Sequence, residues 1–156
     1  MKIFTLDEAQ SLLPVVESLL TRAIESKQAA EAIDTELSEL SYRIHLSGGM
    51  TVNIVKVAAR RSELEQHVQR ARETVGEIDE IGVQLKDLDT GLLDFPCRVD
   101  DEVVLLCWKR GELSIDHWHT VESGFQGRQP IDDRFRRRTG STNAGPGNLG
   151  PGNRPN

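Results

Sequence analysis

The sequence predicts an α+β fold: a long antiparallel helical hairpin, coiled-coil-like, then a small antiparallel β-sheet module and a disordered C-terminal tail. Three observations predict it. Apolar residues recur in steps of three and four through two long segments, which are separated by Gly48-Gly49. From Gly82 onward the pattern changes to short runs divided by turn formers, the signature of strands. After about Arg137 the chain is rich in Gly, Pro and Asn and lacks the apolar content that offsets ordering entropy. Helices first and strands second is an α+β order. The expected layout is a single α+β domain over 1–136, followed by a disordered tail over 137–156. Within the domain, helix 1 is expected at 5–46, helix 2 at 52–81, the sheet at 83–119 and a loop at 120–136.

Helix 1 opens with a start signal. Thr5 precedes Glu8 at capping-box spacing, Asp7 suits the positive first turn, and Phe4 is placed to staple onto it. The stripe Leu12, Leu13, Val15, Val16, Leu19, Leu20, Ala23 and Ile24 is too wide for a two-helix seam, so other elements should cover it. Pro14 predicts a kink, or a short helix followed by a long one. Beyond it the seam narrows to Ala30, Ile33, Leu37, Leu40 and Ile44. Helix 2 carries the matching seam Ile54, Val57, Arg61, Leu64, Val68, Ala71, Val75 and Ile78. Arg61 is its one misfit, with a stem able to lie along the seam and a head in water. Arms of about 30 residues reach roughly 45 Å. The distal end of such a hairpin projects into solvent or pairs with another copy.

The strand candidates are Val83–Lys86, Leu92–Arg98, Val103–Lys109 and Leu113–His119. Asp100-Asp101 and Arg110-Gly111-Glu112 read as hairpin turns, and Pro96 suggests an edge strand or a bulge. The sheet should pack on the wide stripe of Leu12–Ile24.

Charge limits the function. The chain has 156 residues and a net charge of −6, while Arg134, Arg136, Arg137, Arg138 and Arg154 are gathered at the end. The acidic body before them argues against general nucleic-acid binding, because duplex affinity rests on neutralising phosphates. Two cysteines, Cys97 and Cys107, match neither a disulfide framework nor a zinc knuckle, which suits a reduced cytoplasmic protein. The start MKIFTLDEAQ leads straight into an amphipathic pattern, so no signal peptide is expected, and no apolar run is long enough to span a membrane.

The pieces "FTLDEAQSLLPVV", "GVQLKDLDTGLLDFP", "LCWKRGE", Trp118-His119 and "GFQGRQPI" together resemble the DUF2203 family, bacterial and archaeal proteins of unknown function. The resemblance covers about residues 3–131. It implies a helical N-terminal part with a small C-terminal module, and it assigns no catalytic residue.

The residues with chemistry to offer lie in the sheet. In "IDHWHTVE", His117 and His119 are two apart and so share a strand face, with Trp118 opposite. Trp108 and Trp118 are expected in the core. Two imidazoles begin a transition-metal site, zinc for example, and Glu122 is the nearest local third ligand. Asp87, Asp89 and Asp94 are non-local candidates. Cys107 is another, although one residue of register slip reverses its face. The plainer reading is structural: exposed histidines on a strand, with His119 tying it to the "DLD" turn. Arg128 is a candidate anion contact, or a buttress to Asp87 or Asp94. No phosphate-cradling loop and no nucleophile elbow appears. Two functions remain. One is a non-enzymatic interaction module that homodimerises through the hairpin. The other is a metal- or small-ligand-binding protein, or an enzyme, with a site around His117, His119 and Glu122.

Overall fold

Thr5 starts the first helix: its side-chain oxygen accepts the Glu8 backbone N–H at 3.1 Å, and Asp7 and Glu8 occupy the positive first turn. In the computed structural model, which describes residues 1–136, helix α1 then runs over Leu6–Leu46 without a break at Pro14. The proline lies on the exposed side, so of the two outcomes expected there the split into two helices does not occur. Phe4 is buried with its ring edge-on to Phe95 of the sheet, at 5.7 Å between centroids. Helix α2 covers Ile54–Ile81. It begins two residues later than expected because Asn53 is its cap, accepting from the Lys56 N–H at 3.1 Å. It ends at Gly82, whose φ of 99° is the left-handed conformation that closes helices.

The two helices pair as a hairpin, and burial fades toward its tip. Ala30 and Ile33 are buried, Leu37, Leu40 and Ile44 are half-buried, and Ile54 at the start of α2 is exposed. Arg61 is exposed, as a seam residue with its head in water should be. Arg60 spans the hairpin to Glu36, with Nε to Oε2 at 2.8 Å.

The sheet has five strands: β1 Gln84–Asp87, β2 Leu92–Val99, β3 Glu102–Lys109, β4 His117–Thr120 and β5 Gln129–Pro130. Each is antiparallel to the next, in the order β1-β2-β3-β4-β5. Three expectations need correction. The last predicted strand, Leu113–His119, begins only at His117. Its first residues are tied elsewhere: Gln10 accepts the Ile115 N–H at 2.9 Å, and Ser114 donates to Asp116 at 2.7 Å. The expected loop 120–136 contains β5, a 3₁₀ turn at Phe125–Gly127 and a short helix α3 at Asp133–Arg136. Pro96 lies in the second strand of the sheet, not in an edge strand. It is tolerated because β1 pairs only as far as Asp94, so the outer side of β2 is free there. The Pro96 carbonyl instead accepts the Phe4 N–H at 2.7 Å. A residue's N–H and C=O point to the same side of a strand, so the N–H that proline lacks costs no bond to β3.

Alternation divides the sheet into two faces. Leu93, Phe95, Cys97, Val104, Leu106, Trp108 and Trp118 join Leu13, Val16, Leu20 and Ile24 of α1 in one core, so the wide stripe is covered as its width requires. Both indole N–H groups are satisfied, Trp108 by the Glu112 carbonyl at 3.0 Å and Trp118 by that of Pro130 at 3.1 Å. The opposite face carries Asp94, Leu105, Cys107, His117 and His119. The tail expected to be disordered, 137–156, lies outside the described residues.

Candidate metal centre

Register brings the polar residues of that second face together. Asp94 of β2 stands opposite Cys107 of β3, and Cys107 stands opposite His117 of β4. His119, two residues on, shares their face. Donor atoms of Asp94, Cys107 and His119 lie within 4.8 Å of one another, and all three residues are buried. Two of the residues considered from sequence, Asp94 and Cys107, thus reach His119.

The hydrogen bonds of His119 set its chemistry. Nδ1 lies 2.7 Å from the Thr120 carbonyl oxygen, which only accepts, so Nδ1 carries a proton. Nε2 lies 3.1 Å from Asp94 Oδ1, so one proton is held between ring and carboxyl. A metal-ligating histidine shows the same arrangement: one ring N–H fixed to a carbonyl and the other nitrogen turned toward the donors. Burial and the neighbouring Asp94 push the Cys107 thiol up to about 11. A thiol held protonated is a poor nucleophile, and His119 has no ring nitrogen left to act as its base. The cluster is therefore a poor Cys-His catalytic pair. Sulfur, imidazole nitrogen and carboxylate oxygen together are a fitting donor set for zinc. Around a tetrahedral zinc such donors stand about 3.3–3.8 Å apart, and these three lie within 4.8 Å of one another.

His117 and Glu122, expected as ligands with His119, are placed differently. Glu122 is exposed in the turn after β4 and is not one of the three grouped donors. His117 is half-buried, with Nδ1 3.7 Å from Glu112 Oε2 and without a hydrogen-bond partner. Asp87 ends β1, and Asp89 belongs to the turn that follows. Asp87 accepts the Asp89 N–H at 2.9 Å, and the Thr90 hydroxyl with that N–H holds its carboxyl below the ordinary value. Asp89 pairs with Lys27 of α1. His119 therefore ties its strand to Asp94, not to the "DLD" turn. Arg128 is a buttress, but to Glu112, at 3.2 Å, and not to Asp87 or Asp94. Its guanidinium also lies 4.5 Å from the Phe125 ring centroid.

Sequence reasoning missed Glu112 and Phe125. Glu112 gathers the Lys109 N–H, Arg128 and the edge of His117, yet in sequence it is one residue of a turn. Phe125 belongs to the segment that covers this face. Gly124 bends the segment with φ 64°, and a Cβ on Gly127 would stand 2.5 Å from that of Ser123. Thr120 accepts the Ser123 N–H at 3.1 Å and holds the near end. This cover is why His119 is buried and not a surface histidine.

A family model described as "Uncharacterized conserved protein (DUF2203)" matches residues 2–131. No curated protein and no solved structure matches the chain. No helix among the described residues is long and apolar enough to cross a membrane.

Proposed function

The chain belongs to the DUF2203 family, and we propose that it is a transition-metal-binding protein, with zinc held by Asp94, Cys107 and His119. The observation that supports this most is three different donor types, all buried and within 4.8 Å of one another, on three adjacent strands. His119 ligates through Nε2, with its Nδ1–H anchored on Thr120. Metal entry displaces two protons, one from the thiol and one held between Asp94 and His119. Arg128 and Glu112, neighbours of the Cys107 thiol, and His117, paired with Cys107 across β3 and β4, border the centre. Elemental analysis of protein purified without added metal tests this. One zinc per chain is expected, lost in Cys107→Ser and in His119→Ala and kept in Glu122→Ala. A metal-free protein that takes up no zinc after chelation and reloading ends the proposal.

A second reading has its own support. Tyr42, Leu46, Met50, Ile54 and Val55 are exposed together around the hairpin tip. Nearer the sheet, an apolar groove of about 600 Å³ between the helices carries both signs of charge, Lys27 and Arg72 with Glu31 and Asp34. A surface with both signs suits a second copy of itself across a two-fold axis. On this reading the hairpin is a homodimerisation module, and it is compatible with the metal centre.

A further inference from the structure

Asp94, Cys107 and His119 line one wall of a cavity of about 230 Å³. Leu92, Leu105, Val121 and Phe125 form apolar walls around it. The exposed Lys86 also lines it, and the Lys109 ammonium lies 5.9 Å from the Phe125 ring centroid. Neither lysine is in an ion pair among the described residues.

These features constrain an occupant. Three protein ligands leave a four-coordinate zinc one open position, the arrangement of sites that take a water or a ligand. Zinc with one carboxylate and one thiolate is close to neutral, so the nearby lysines set the sign of what is attracted. The apolar walls favour a hydrocarbon body over a polar one. The volume falls below the roughly 300–1,000 Å³ of pockets for drug-sized molecules, so the occupant is smaller than those. We infer that the centre takes a short-chain carboxylate, its carboxyl group on the metal and its hydrocarbon body against Leu92, Leu105, Val121 and Phe125. This rests on the metal reading above.

The test is calorimetric titration of the zinc-loaded full chain with butyrate, and separately with n-butylamine, with zinc content measured on the same samples. Butyrate should bind at one per zinc and should not bind the chelator-treated protein. Lys86→Glu, a change on an exposed side chain, should weaken butyrate by about fivefold. Val121→Trp should fill the cavity and block butyrate while zinc stays bound. Zinc-loaded protein that ignores butyrate, binds n-butylamine equally well, or binds butyrate as well without zinc overturns the inference and leaves the metal reading standing. Protein that takes up no zinc ends both.

Discussion

At Cys107 burial and the neighbouring Asp94 carboxylate work against the thiolate, and the Arg128 guanidinium offsets them only in part. Two consequences follow for pH. Zinc can bind only as the thiol loses its proton, so affinity should rise with pH, by about tenfold per unit for each proton displaced. In the metal-free protein the sign reverses. A thiol raised from its ordinary 9.0 favours the protonated folded state, and that stabilisation is lost as pH climbs through about 11. Competition with a chromophoric chelator between pH 6 and 8 checks the first consequence; an affinity independent of pH would remove Cys107 from the ligand set. Asp94 has a role even without metal. Asp94→Ala leaves His119 Nε2 buried without a partner, at a cost of about 1–3 kcal/mol in urea denaturation of chelator-treated protein. A change within experimental error would show that the pair contributes nothing to folding. The sequence revealed the donor types and the shared face of the two histidines. It could not choose Asp94 over Glu122, because that choice depends on which residues stand opposite across β2, β3 and β4.

The register that makes the choice is set by a two-residue turn. Val99 pairs with Glu102, which leaves Asp100 and Asp101 as the whole β2–β3 connection, with φ of 50° and 64°. Positive φ at both positions is the twist-matched hairpin turn. Aspartate tolerates it, at a cost that glycine avoids. Asp101→Gly should therefore raise the melting free energy by up to about 1 kcal/mol without disturbing the site. A loss of stability would mean that the Asp101 side chain makes a contact the turn needs. The turn was legible from its two aspartates, and both long helices from their periodicity and caps. The strand Leu113–His119 was legible only in part. Leu113 to Asp116 alternate apolar and polar as a strand would, yet Gln10 of α1 captures the Ile115 N–H within that stretch. That bond joins residues far apart in sequence, which no local pattern records. The covering segment 121–128 was read as a plain loop for a similar reason: Gly124 and Gly127 announce a bend without saying what it lies against.

Across the described residues, burial is concentrated at the base. The core joins the first turns of α1, the end of α2 and one face of the sheet, while the hairpin tip presents apolar side chains to solvent. Replacing Ile54 and Val55 with serine should change stability by no more than about 0.5 kcal/mol, since neither is buried. If the tip is an interface between two copies, the same double variant shifts sedimentation from dimer toward monomer; a wild-type chain that stays monomeric at every concentration excludes that interface. The proposed metal centre lies at the other end, on the sheet face turned away from the helices, so the two readings are tested independently. The most direct test of the centre is X-ray absorption at the zinc edge on the reconstituted protein. The expected spectrum has a single sulfur at about 2.3 Å together with nitrogen and oxygen neighbours at about 2.0–2.2 Å, and loses the sulfur in Cys107→Ser. A shell of light atoms alone, or one that Cys107→Ser leaves unchanged, would contradict it.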